Sequence, residues 1–250
     1  MSKTPQTSPI ITVFQNMVTI INSGAGRDKL CRLIQYFLHA FMPILAPRGA
    51  HFKDLITRLG ALKGSCSHTR KVLRFGKEIP LIVGIRNRLR QHEQKPIRMV
   101  EYRTMSDLAL MLYFATDHPL YFHSIGLWKY SPGFVSNLSY INNVFWLLSS
   151  IFDMMVTLVE ISHVQGEIQK LSAKVSNFST SQGEDQLDQK QQLKKLRREH
   201  LSLWLNLIRN IVDLPAIFHF MGYTKRWSAE MAGTGGTIAS LISLYKMWGN

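Results

Sequence analysis

Apolar residues along this chain recur at helical spacing, and no stretch alternates with period two for long enough to suggest a sheet. Ile10–Asn22 predicts a first helix that stops at Ser23-Gly24-Ala25-Gly26. A second helix is expected from Arg27-Asp28 to about Leu45. Leu30, Leu33, Ile34, Phe37, Phe41, Ile44 and Leu45 form its stripe, and Pro43 and Pro47 its end. Asp28 is expected to cap it, leaving Lys29 and Arg32 exposed. Phe52–Leu62 carries a third stripe of Phe52, Leu55, Ile56, Leu59 and Leu62. Gly64-Ser65-Cys66-Ser67 interrupts it, and a new face of Val72, Phe75, Ile79 and Ile82 follows out of phase. Pro80 is expected to end or kink this piece.

Farther on, Ile85–Arg103 is strongly basic and reads as a helix end and a loop around Pro96. Ser106–Leu127 is apolar but contains Asp107, Asp117 and His118, which fits a helix packed in a bundle. Asn142–Val164, with the core VFWLLSSIFDMMVTLV, is a candidate bilayer span interrupted by Asp153. Lys170–His200 is polar, with a loop expected over Ser179–Gln189. Leu201–Gly222 is apolar again. Arg209 and Asp213 lie one helical turn apart there, within reach of each other, and Pro215 is expected to interrupt. In Met231–Tyr245, Ala232, Gly236 and Ser240 place a small residue at every fourth position, the spacing that lets helices pack closely in a bilayer.

The fold class expected is all-α, a membrane-associated helical bundle with amphipathic helices and about two transmembrane helices. A hydrophobic fraction of 46% is too low for a bundle of many spans. Charge then divides the chain. Residues 1–143 hold 19 Lys+Arg against 7 Asp+Glu, and residues 144–250 hold 11 against 9. This suggests a basic cytosolic region, 1–103, and a membrane-embedded region, 104–250, with a polar loop over 165–200, within one integrated fold. Cys31 and Cys66 offer neither metal spacing nor a disulfide framework.

Catalytic signatures are missing: no HExxH, no CxxC, no Walker A loop, and Gly24-Ala25-Gly26 lacks the third glycine of a dinucleotide fingerprint. The expectation is no enzyme, with no catalytic, cofactor or metal residues. Nucleic acid is not expected as a partner, because Phe75 is the sole aromatic among the basic residues of 53–77. Anionic lipid is. Lys53, Arg58, Lys63, Arg70, Lys71, Arg74 and Lys77 would each contribute about 1 kcal/mol near an anionic leaflet. Each inserted Leu or Phe would add roughly 1.5–3 kcal/mol when fully buried. A core-facing helix with a solvated basic face explains the same periodicity.

Four segments resemble the peroxin-11 family of peroxisomal membrane proliferation proteins, in that family's order. They are Gly26-Arg27-Asp28-Lys29-Leu30-Cys31-Arg32-Leu33-Ile34-Gln35-Tyr36-Phe37, and His68-Thr69-Arg70-Lys71-Val72-Leu73-Arg74-Phe75-Gly76-Lys77. Then come Asp117-His118 with Ile125-Gly126-Leu127, and Arg209-Asn210 to Asp213-Leu214-Pro215 with Ile238 to Tyr245-Lys246-Met247-Trp248. His68 and Thr69 are less apolar than the family's pattern, and Lys170–Lys190 has no clear counterpart. The resemblance implies a peroxisomal membrane protein that elongates, multiplies and divides peroxisomes. It would insert an amphipathic helix into the cytosolic leaflet and self-associate as a homo-oligomer. A dynamin-related fission GTPase and its tail-anchored adaptor would be partners. A solute channel of the same membrane is the alternative, with Ser149, Ser150, Asp153, Thr234 and Thr237 as candidate pore residues. Carried onto this chain, the resemblance assigns Arg70, Lys71, Arg74 and Lys77 to lipid phosphates. Val72, Leu73, Phe75 and Ile79 would enter the acyl boundary, with Val72, Phe75 and Ile79 forming the tighter apolar face. From charge asymmetry, spans near Asn143–Ile161 and Met231–Trp248 would leave both termini cytosolic and Ser162–Arg226 in the matrix.

Overall fold

The computed structural model describes residues 9–90, 97–177 and 183–248. Those residues form eight α-helices and no strand: α1 (Pro9–Asn22), α2 (Gly24–Leu45), α3 (Lys53–Val72), α4 (Glu78–Arg90), α5 (Ile97–Ser124), α6 (Pro132–Asn177), α7 (Gly183–Phe220) and α8 (Ala229–Met247). The all-α expectation is borne out.

Local chemistry sets the boundaries, not always where periodicity placed them. Ser23, not Asp28, caps α2, its Oγ accepting from the Gly26 N–H at 2.9 Å. Pro43 lies inside α2, and two short 3-10 turns, Ala46–Arg48 and Ala50–Phe52, lead from it to α3. The break expected at Gly64-Ser65 does not occur, and α3 runs through it to Val72. The break comes instead at residues 73–77, where Gly76 has φ of 76°, a conformation open to glycine and strained for other residues. Pro80 sits in the first turn of α4, where a missing N–H removes no helical bond. Pro215 lies within α7. The loop expected around Pro96 falls on residues 91–96, outside the described residues. The first part of the expected Ser179–Gln189 loop also lies outside them, and from Gly183 onward that segment is helix.

Two compact units emerge. The first gathers residues 1–76, 116–140 and 212–250, the second residues 77–115 and 141–211, so the 1–103 and 104–250 regions each contribute to both. In the first unit α2 packs on α3 and α8. The α8 contact is made by glycines: a Cβ on Gly233 would overlap the Ala40 backbone, and one on Gly236 the Tyr36 ring. In the second unit Ile161 and Val164 of α6 pack on Leu203 and Leu207 of α7, with Met154, Ile168 and Leu196 beside them. There Asp153 is held by Arg103 at 2.8 Å, Arg209 at 3.1 Å and Asn210 at 2.7 Å. Arg103 also reaches Glu160 at 3.0 Å.

Among the described residues α6 and α7 are the two helices long and apolar enough to cross a membrane. The second span expected at Met231–Trp248 forms α8, whose 19 residues are of near-spanning length but too polar to be one of the two.

Candidate membrane-facing surface

The side chains expected at lipid phosphates divide into two groups. Lys53 and Arg58 are exposed near the start of α3, and Arg58 pairs with Asp54 at 2.9 Å. Lys63 is half-buried, its Nζ 3.5 Å from His39 Nδ1. Arg70 and Arg74 are buried. Arg70 Nε lies 3.3 Å from Asp28 Oδ1, and its Nη1 donates to Gln35 at 2.7 Å. Arg74 Nη1 donates to Asp117 at 3.0 Å and its Nε lies 3.8 Å from Asp28. Lys71 is half-buried, 3.7 Å from the other oxygen of Asp117. Burial, reinforced by Arg74, lowers the pKa of Arg70, and Asp28 opposes the shift. Lys77 is half-buried.

This arrangement answers a physical demand. A guanidinium removed from water is tolerated only when carboxylates and further hydrogen bonds replace its hydration. Asp28 on α2 and Asp117 on α5 supply them, so the charges of Arg70 and Arg74 are matched inside the protein and not at lipid. A second buried pair lies in the same unit: Arg32 donates to both oxygens of Asp213 at 2.5 and 2.6 Å. Arg32 is therefore buried, not exposed as expected, and Asp213 pairs with it and not with Arg209 one helical turn away. The missed signal was the placing of acids. In so basic a chain, a carboxylate within an apolar run points to a buried cation.

The apolar residues of the same segment do not share one helix face. Val72 closes α3, Leu73 and Phe75 lie in the turn, and Ile79 opens α4. Val72 and Ile79 are exposed, and Leu73 is half-buried. Phe75 is 40% exposed while one ring face stacks on His118 at 4.4 Å. Ala232 and Ser240 are fully buried, and Gly236 is buried with them on the α8 face that meets α2.

Several helices are inverted relative to a water-soluble bundle. On α2, Ile34, Phe37, Phe41 and Ile44 point outward while Asp28, Arg32 and Tyr36 are buried. On α7, Leu201, Trp204, Ile208 and Ile211 are exposed while Asn210 and Asp213 are buried. On α8, Met231, Ile238, Leu241 and Tyr245 face out, and glycine, alanine and serine face in. Water would penalise such stripes, whereas lipid does not, and small residues let helix backbones approach where the hydrophobic effect gives no drive for association. Of the candidate pore residues, Asp153 has both oxygens bonded, Ser149 and Ser150 are buried, and Thr237 donates to the Gly233 carbonyl at 2.7 Å. Thr234 is exposed. Among the described residues no three His, Cys, Asp or Glu side chains gather as metal ligands do.

Charge inside, hydrocarbon outside and two helices of spanning length define a class, the helical membrane proteins. The profile of the peroxisomal biogenesis factor 11 family matches residues 14–248, and the chain belongs to that family, whose members are peroxisomal membrane proteins of peroxisome biogenesis. It is similar to the peroxisomal membrane protein 11 homolog of Dictyostelium discoideum, with 23% identity and 94% of each chain covered. No solved structure matches it.

Proposed function

We propose that this protein elongates and divides peroxisomes by deforming their membrane mechanically, not by catalysis. The observation that carries the reading is the outward apolar surface of helices whose charges are turned inward. Two spans, α6 and α7, anchor the chain. The segment from Val72 to Ile79 then enters the cytosolic leaflet. Volume added to one leaflet expands it relative to the other and favours curvature. Val72, Phe75 and Ile79 supply the inserted surface. Lys53 and Arg58, exposed near the start of α3, meet anionic headgroups. Self-association concentrates the effect, and recruitment of a dynamin-related GTPase through a tail-anchored adaptor completes division.

The test is tubulation of anionic liposomes by the full-length protein. Phe75→Glu and Ile79→Glu each put a charge on the inserted surface, and both are expected to abolish tubules at equal protein-to-lipid ratio. Wild-type tubulation by both variants would refute insertion at this segment. The solute-channel alternative predicts conductance in a planar bilayer that disappears on Asp153→Leu. Asp153 already accepts from Arg103, Arg209 and Asn210, which argues against it.

A further inference from the structure

We infer that α1 is a second leaflet-inserting helix, held in lipid by apolar area alone and without attraction to anionic headgroups. The helix carries no charged residue from Pro9 to Asn22. Its residues nonetheless segregate cleanly. At about 100° per residue, Val13, Met17, Ile10, Ile21, Phe14, Val18 and Ile11 occupy one arc of roughly 160°. Asn22, Gln15, Thr19, Thr12 and Asn16 occupy the opposite side.

All seven residues of the apolar arc are exposed, from 44% at Val13 and Met17 to 67% at Ile10. Among the described side chains of α1 only Ile20, at the edge of the arc, is buried, with Asn16 half-buried near it. The protein therefore grips α1 along one edge and leaves its apolar face bare. The joint that sets this orientation is tight. The Ser23 N–H donates to the Ile20 carbonyl at 3.2 Å, and Ser23 Oγ caps α2. A Cβ on Gly26 would overlap the Ile20 carbonyl.

Two observations select lipid as the occupant. α1 packs on α2, whose own outward stripe of Ile34, Phe37, Phe41 and Ile44 is apolar. The opposite face is Thr, Gln and Asn, side chains that hydrogen-bond in a headgroup layer but draw no anion. A helix of that composition binds by inserting apolar surface into packing gaps, unlike a basic helix, which needs anionic lipid. The inference rests on the chain being a membrane protein. It does not depend on insertion at Val72–Ile79.

The experiment uses the full chain with Cys31→Ser and Cys66→Ser, reconstituted in vesicles of phosphatidylcholine alone. Phe14→Cys, Thr19→Cys and Ile208→Cys variants carry an environment-sensitive nitrobenzoxadiazole label. The label at position 14 is expected to emit to the blue of its value in water and to lose intensity when spin-labelled phosphatidylcholine is included. High salt and added phosphatidylserine should leave both readings unchanged. The label at 19 should stay water-like. The label at 208, on α7, should be quenched whether or not α1 inserts. A water-like signal at 14 with quenching at 208 overturns the inference and spares the membrane reading. No quenching at either site overturns both. A blue shift at 14 without lipid quenching means that a second copy of the chain covers the face. Insertion that appears only with anionic lipid removes the charge-free mechanism. Either of these last two results also refutes the proposal.

Discussion

Asp213 lies within an apolar stretch of α7, and both its oxygens accept from one nitrogen of Arg32. The side chains are only 6% and 8% exposed. The i to i+4 spacing of Arg209 and Asp213 suggested a local pair, which contributes about 0.2–0.5 kcal/mol on a helix surface. That small term yields to a larger one, because a buried Arg32 without a carboxylate would be an uncompensated charge. Arg209 instead bonds Asp153. Asp213→Asn should therefore lower stability by about 3–5 kcal/mol. Arg32→Met with Asp213→Leu should recover most of that loss, since hydrophobic replacement of both partners leaves no unpaired charge. Unfolding of the detergent-solubilised variants in guanidinium would measure both, and a single variant as stable as wild type would contradict the pairing. Asp28 and Asp117 teach the same lesson. Each was visible in the sequence as a lone acid among basic or apolar neighbours, but the partner lies tens of positions away.

Helices were legible where one face is strongly apolar: α1 was expected over Ile10–Asn22 and forms over Pro9–Asn22. Breaks were less legible. Gly64 and Gly76 look alike in sequence, yet α3 passes through one and the chain turns at the other. A glycine lowers helix propensity by only about 1 kcal/mol relative to alanine, so packing of the neighbouring turns decides. The α8 glycines show a third use. Gly233 and Gly236 admit the Ala40 backbone and the Tyr36 ring, and Gly235 the Val212 carbonyl. Gly236→Leu should overpack this contact by about 1–3 kcal/mol or more and lower the thermal midpoint in micelles. Leucine at the exposed position 238 in place of isoleucine should leave it within experimental error. Equal midpoints for the two variants would mean that α8 does not pack on α2 through this face.

α6 and α7 have 46 and 38 residues, about 69 and 57 Å at 1.5 Å per residue, well beyond a hydrocarbon core of about 30 Å. Only part of each helix is therefore needed to cross. Their polar ends meet around a cleft lined by Glu167, Lys170, Leu171, Lys195, Leu196 and Glu199, which suits water better than lipid. If both termini are cytosolic, as the basic first half favours, this polar hairpin projects into the matrix. Protease added to intact organelles should then leave residues 170–198 uncut until the membrane is opened by detergent. Cleavage there from outside would reverse the orientation.

The helical class was legible in the sequence alone, because it depends on local periodicity, but periodicity and composition left lipid and the protein core as equal alternatives for the faces of the basic helices. The four family blocks pointed to the peroxisomal membrane, and the match over residues 14–248 agrees. Only the tertiary structure decided the fate of the basic residues after Gly64. Periodicity records which side chains share a helix face but not what lies opposite, and Asp28 and Asp117 lie opposite Arg70 and Arg74. The same limit concealed α1. Its apolar stripe was plain in the sequence, but that the protein leaves the stripe uncovered depends on the turn at Ser23 and Gly26.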